Sequence, residues 1–378
     1  MVIIGSGPAG VGAAEAFRQH DTDLPVRIMT NDPDHPYARP PLSKEFLRGD
    51  TNDVELHPAE WFADRSIEIH RGEVTAIDVV DHAILLDGER MAYGALVLAC
   101  GAEPSSLPVP GGERALNLRS LTDARRLRQA ATGARSAVVV GAGFIGCEAA
   151  ASLAMRGIDV TLVAPEKQPQ EKRLGADVGR RIRDLVEQSG ARYVAGASIS
   201  EVREGAVELD GGQTIGCDVV LAATGVTPRI DLARAAELDV EQSRIAVDAH
   251  LRTSADDVYA AGDVAFAVDK DAGRRIAIDH WQDAADQGAV AGTGAAGRPA
   301  NWHGAPGFWT TIGDATLKYH AWGDGFTHSR VIDYDGGFTV WYQRDGVAVG
   351  VLTHNADHDY DLGEQLIVAG KPAPVPMG

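Results

Sequence analysis

The feature that most constrains this chain is a strand–turn–helix unit that occurs twice. Met1-Val-Ile-Ile runs into Gly5-Ser-Gly7-Pro8-Ala9-Gly10 and then into the small-residue stretch 11–17. Ser136-Ala-Val-Val-Val runs into Gly141-Ala-Gly143-Phe144-Ile145-Gly146 and an amphipathic helical stretch that reaches Gly157. In such a unit the first glycine permits a tight turn, the second lets the backbone approach a pyrophosphate, and the third lets the helix pack closely on the strand. The helix N-terminus then presents unpaired N–H groups and the positive end of its dipole to an anion. Glycine turns alone are common on surfaces, but a strand before and a helix after make each of these a dinucleotide site. Two full sets of glycines predict two bound dinucleotides on two Rossmann-like domains, an α/β fold.

The second strand of each unit should deliver a polar side chain to the adenosine ribose. In the second unit the strand 159–164 leads to Glu166, whose carboxylate favours a free 2′-OH over a 2′-phosphate and so NADH over NADPH. Lys167, Lys172 and Arg173 follow within reach of a phosphate, so a solvated charged loop is the competing reading. In the first unit the strand 26–29 leads to Thr30-Asn31-Asp32, and either Asn31 or Asp32 serves. The 378 residues, 44% hydrophobic and 24% charged, suffice for two or three packed domains. A formal charge of −19 opposes nucleic acid and anionic lipid surfaces. Cys100, Cys147 and Cys217 lie far apart with no CxxC pair, which indicates neither a disulfide framework nor a metal site and fits a reducing cytoplasm. Residues 137–155 are apolar enough to suggest a membrane span, but Glu148 and three glycines make them strand, turn and helix, so no membrane anchor is expected. The apolar N-terminus lacks a basic leader, and no signal peptide is expected.

Further motifs add specificity. Pro36-Tyr-Ala-Arg39-Pro40-Pro41-Leu42-Ser43-Lys44 is held extended by its prolines. It is followed in order by Leu96-Val-Leu-Ala99-Cys100-Gly101-Ala-Glu-Pro104, Leu118-Arg119-Ser-Leu-Thr-Asp-Ala124, Ala223-Thr-Gly225-Val-Thr-Pro228, Val258-Tyr-Ala-Ala-Gly262-Asp263-Val264 and Phe308-Trp309-Thr310. In this set and order, over nearly all its length, the chain resembles the flavin-dependent ferredoxin and rubredoxin reductases and the related apoptosis-inducing-factor oxidoreductases. The resemblance implies FAD on the first unit and NADH or NADPH on the second. It implies that Arg39, Lys44, Val74, Ala99, Cys100, Gly101, Arg119, Gly262 and Asp263 face FAD, with Asp263 at the ribityl chain and Lys44 near flavin N5. It also implies a helix after Gly262-Asp263 whose N-terminus points at FAD. Trp281 and Trp309 would sit over the flavin or near the nicotinamide, core packing being the alternative. Phe144, Ile145, Glu166, Lys172 and Gly225 belong to the nicotinamide-nucleotide side. Glu148 matches the family's carboxylate partner of Lys44, as against a surface glutamate at a helix N-terminus. The family often has threonine at the position of Cys100 and an acid at that of Asn31.

The expected architecture is a discontinuous FAD domain, 1–107 with 229–297, interrupted by a NAD(P)H domain, 108–228, and followed by a small C-terminal α+β domain, 298–378, with a terminal helix over 361–368. The expected chemistry is hydride transfer from NADH to flavin, then single-electron release to an external acceptor, since no redox cysteine stands near Ser43. The implied acceptor is an iron–sulfur protein; quinone, oxygen or another small acceptor, or a slow redox-sensing role, are the other readings. The protein is expected to be a monomer or homodimer.

Overall fold

The computed structural model describes residues 1–374. Its first sheet is five-stranded and wholly parallel, in the order Val258–Ala260, Leu96–Leu98, Val2–Ile4, Val26–Thr30, Ile67–Arg71. Parallel strands are covered on both faces and therefore read as continuous apolar runs. Val2–Ile4 and Leu96–Leu98 are buried at every residue, with Ile3 paired to both Ile28 and Val97. The helix Pro8–His20 leaves the first strand and lies against Trp281–Ala295. The two approach so closely that a Cβ at Gly288 or Gly292 would stand 2.1 Å from the carbonyl oxygen of Ala9 or Ala13.

The second sheet repeats the plan with four parallel strands, Arg192–Ala195, Asp159–Ala164, Ser136–Val140 and Val219–Ala222. Its helix, Phe144–Met155, departs from expectation. Residues 146–153 are all buried, so the helix is apolar on nearly every side rather than amphipathic. It lies against Ser136–Val140 and Asp159–Ala164, and also against the short helix Glu45–Arg48 and the strand Gly307–Ile312. Ala102–Pro104 and Val226–Pro228 pair antiparallel where the chain passes between the two sheets.

Residues 307–354 form a five-stranded antiparallel sheet in the order Gly307–Ile312, Ala315–Ala321, Val347–His354, Gly337–Arg344, His328–Tyr334. The closing helix begins at Asp357 rather than at 361, with Asp357 and Asp359 in a first turn whose dipole favours acids. A second correction concerns Gly262-Asp263. These residues form a short 3₁₀ turn, Gly262–Val264, followed not by a helix but by the strand Ala265–Asp269, paired with Arg244–Val247 and Arg274–Ala277. No helix among the described residues is long and apolar enough to cross a membrane.

Candidate active site

One cleft of about 1180 Å³ runs from the first glycine turn to the second, larger than the roughly 300–1,000 Å³ of a site for a single small ligand. All the site residues expected from sequence line it except Gly10 and Gly146. Those two act one layer behind. A Cβ at Gly10 would stand 2.0 Å from the carbonyl oxygen of Gly5, and one at Gly146 would stand 2.0 Å from that of Gly141. Gly5 and Gly141 themselves turn at φ +114° and +103°, a region closed to residues with side chains. Gly7 shows the complementary property, with no atom within 4 Å of where its Cβ would be. The backbone face over the N-terminus of Pro8–His20 is thus open to a ligand and lined with N–H donors, which fits the diphosphate of FAD.

Below the cleft Lys44 and Glu148 form an ion pair at 3.1 Å, 6% and 3% exposed. The glutamate is therefore not a surface residue. Its Oε2 also accepts from Ser43 Oγ at 2.5 Å, and its Oε1 accepts from Thr310 Oγ1 at 2.7 Å and Thr311 N–H at 3.2 Å. A buried carboxylate is tolerated when its lone pairs are filled in this way. Three parts of the chain meet here: the proline segment, the second glycine helix and the first strand of the antiparallel sheet. Ser43, Thr310 and Thr311 were not singled out from sequence as ligands of this carboxylate, because single hydroxyls and a backbone N–H carry no motif.

At the opposite side of the first turn, Arg119 donates to Asp263 at 2.5 Å and to the carbonyl of Ala102 at 3.1 Å. Arg39 lies beside them. Burial and the neighbouring Arg119 pull its guanidinium below its ordinary value, and it forms no ion pair among the described residues. A half-buried cation facing an open cleft fits an anionic ligand. Val74 is buried in the cleft wall, and Ala99, Cys100 and Gly101 follow the sheet edge. Of the two ribose candidates, Asp32 is already engaged. Its carboxylate accepts from Tyr37 Oη at 2.8 Å and from Asp34 N–H at 3.0 Å, while Asn31 is exposed at the cleft.

On the other side Glu166, Lys172 and Gly225 line the cleft with Phe144 and Ile145, the last 47% exposed. Trp309 is 44% exposed within the same cleft, so it is not a core residue, and Trp281 is half-buried at the N-terminus of Trp281–Ala295. That helix, not one after Asp263, begins at the cleft. His280 caps it, stacked on Phe308 at 4.0 Å and 3.3 Å from an Arg173 nitrogen. Burial, and then Arg173, pull the imidazole down to about 3, so it is neutral at physiological pH. Of the cysteines, Cys147 is fully buried, and Cys100 has its thiol pushed up to about 11 by burial. Neither offers a thiolate at neutral pH.

Residues 1–288 match the family model described as pyridine nucleotide-disulphide oxidoreductase. The ferredoxin–NAD(+) reductase component of the anthranilate 1,2-dioxygenase system of Burkholderia cepacia is 33% identical over 388 residues, covering 98% of this chain and 94% of that protein. The ferredoxin reductase of the CYP199A2 system from Rhodopseudomonas palustris superposes with a TM-score of 0.93 at 30% identity, covering 98% and 95% of the two chains. The crystal structure of a covalent putidaredoxin reductase–putidaredoxin complex matches with a TM-score of 0.93 at 27% identity, covering 98% of this chain and 93% of that one.

Proposed function

The chain belongs to the pyridine nucleotide-disulphide oxidoreductase family, and from that premise we propose that it passes electrons from NADH through bound FAD to a small iron–sulfur protein. The observation that carries this reading is a single cleft joining both glycine turns over the buried Lys44–Glu148 pair. Bound FAD would supply the hydride acceptor and single-electron donor that no side chain here can be.

The chain's own residues bind and orient. The Gly5–Gly7 turn and the N-terminus of Pro8–His20 would hold the FAD diphosphate, with Arg39 and Arg119 as cations and Asp263 toward the ribityl chain. Gly141 and Gly143 would hold the second diphosphate, and Glu166 the NADH ribose. Lys44, fixed by Glu148, would keep positive charge where electron density gathers, an arrangement that stabilises charge at little reorganisation cost. Asn31 is the side chain free to meet the FAD ribose. The division into 1–107 with 229–297, 108–228 and 298–378 follows from the same assignment.

The acceptor class is supported by the relatives, one of them the reductase component for a ferredoxin and another solved joined to putidaredoxin. Three free cysteines fit a reducing cytoplasm, where we place the protein. Steady-state assays with NADH or NADPH and a panel of ferredoxin, rubredoxin, quinone and oxygen test the acceptor. Turnover faster with NADH and with an iron–sulfur protein supports the reading; equal or faster turnover with quinone or oxygen overturns it.

A further inference from the structure

The two glycine turns differ in what stands over them. At Gly7 no atom lies within 4 Å of where a Cβ would be. At Gly143, its counterpart in the second turn, Nε2 of Gln170 stands 3.8 Å from that point and 3.4 Å from the carbonyl oxygen of Ala142. Facing a carbonyl, this end of the amide donates, through one of its two N–H groups and over a long contact. The missing Cβ of the second glycine is what lets a diphosphate approach the backbone. The Gln170 amide therefore borders the place of the second diphosphate, and it lines the same cleft as the turn.

The backbone is built to hold the amide there. Gln170 takes φ +57°, a left-handed conformation that costs free energy in a residue with a side chain and persists where its surroundings fix it. A Cβ at Gly179, in Ala176–Gln188, would stand 2.7 Å from Gln168 Cβ and 2.8 Å from the carbonyl oxygen of Pro169, so that helix presses on the residues just before Gln170. The segment is tied on either side as well. The Glu166 carbonyl accepts from Tyr193 Oη at 2.9 Å, and the Leu174 carbonyl from Tyr342 Oη at 3.0 Å. Arg173, in the same segment, is drawn off to the aromatic side of the cleft, its guanidinium 5.1 Å from the Phe308 ring centre and a nitrogen 3.3 Å from His280 Nε2.

We propose that Gln170 is a binding residue for the second dinucleotide, its side-chain N–H donating to the diphosphate over the Gly141–Gly143 turn. The proposal rests on the functional reading above, which puts the nicotinamide nucleotide on that turn. A neutral amide holds an anion less tightly than a guanidinium does. That suits a nucleotide that must leave after each turnover, whereas Arg39 and Arg119 flank the turn assigned to the FAD that stays.

The test uses FAD-loaded wild type, Gln170→Ala, Gln170→Glu and Gln170→Arg, with ADP-ribose as the probe, since it carries the diphosphate without the nicotinamide. Calorimetric titration reads its affinity, and stopped-flow reduction by NADH and NADPH reads the nucleotide dependence. Gln170→Ala should weaken ADP-ribose by about tenfold, the lower end for a hydrogen bond to a charged group. Gln170→Glu should weaken it further, and Gln170→Arg should bind at least as tightly as wild type. The limiting rate of flavin reduction should stay near the wild-type value, with the apparent affinities for NADH and NADPH falling by the same factor because their diphosphates are alike. Gln170→Ala binding ADP-ribose as tightly as wild type, or more tightly because the amide stood in the way, overturns the proposal. So does a fall in limiting rate with ADP-ribose affinity unchanged. Should Gln170→Ala unfold, the opposite signs expected of Gln170→Glu and Gln170→Arg decide. If the wild type binds neither ADP-ribose nor NADH, the functional reading fails and the proposal with it; if the wild type binds both and the variants match it, the proposal alone fails.

Discussion

Replacing Glu148 by alanine should be among the most damaging single changes in this protein. The carboxylate fills four hydrogen bonds, from Ser43, Lys44, Thr310 and Thr311. Without it the Lys44 ammonium, 6% exposed, loses its only ion-pair partner among the described residues. Breaking a buried pair from one side costs about 3–5 kcal/mol. The stranded hydroxyls and N–H would each cost about 1–3 kcal/mol if left unpaired. They share one acceptor, however, and the hydroxyls can rotate toward other partners, so the ion pair sets the scale. A loss of about 3–5 kcal/mol is expected, read as a fall in thermal midpoint of roughly 4–6 °C for a chain of this size. Removing both charges in Lys44→Met/Glu148→Leu should recover part of that loss, since apolar replacement of a buried pair is often close to neutral. The assay is thermal unfolding of the FAD-loaded proteins. A Glu148→Ala loss below about 1 kcal/mol, or a double variant less stable than Glu148→Ala, would refute the desolvation reasoning.

Other expectations follow from the same geometry. Lys44→Met should retain flavin yet slow its reduction by NADH on the order of a hundredfold; stopped-flow traces at saturating NADH check this, and an unchanged rate removes the electrostatic role. Glu166→Ala should lower kcat/KM for NADH by about ten- to a hundredfold, the worth of hydrogen bonds to a charged group, and leave NADPH little affected; parallel loss with both nucleotides would count against ribose recognition. Asn31→Glu should tighten FAD by about tenfold or more, since a carboxylate bonds ribose hydroxyls more strongly than an amide does, and FAD titration of the apoprotein reads it directly. Cys100, with its thiol at about 11, should resist alkylation at neutral pH and gain reactivity only as pH rises toward that value; fast labelling near pH 7 would contradict its desolvated setting.

Much of the fold was readable because backbone geometry dictates residue type. Gly5 and Gly141 occupy conformations closed to other residues, and Gly10 and Gly146 stand where no Cβ fits. The apolar runs of the parallel strands followed from burial on both faces, and the last sheet was legible as short strands separated by turns. What escaped was set by distant partners. Val264-Ala-Phe-Ala-Val has no period that separates a strand from a helix, and pairing with Arg244–Val247 made it a strand. Phe144–Met155 lost its polar face because the antiparallel sheet covers it. Lys44 and Glu148 could be matched only through resemblance, since 104 residues separate them. Asp32 and Asn31 could not be told apart in sequence, where nothing shows that Tyr37 Oη donates to Asp32. His280 and Thr310 entered the site through stacking and a single hydroxyl, neither of which leaves a pattern in sequence.

Anaerobic stopped-flow mixing of the purified protein, first with NADH and then with an oxidised ferredoxin, bears on electron transfer through a flavin held between the two glycine turns. Loss of oxidised-flavin absorbance on the first mix, faster with NADH than with NADPH, and its rapid return on the second is the expected result. Protein that binds no FAD, or a flavin that neither nucleotide reduces, would contradict it.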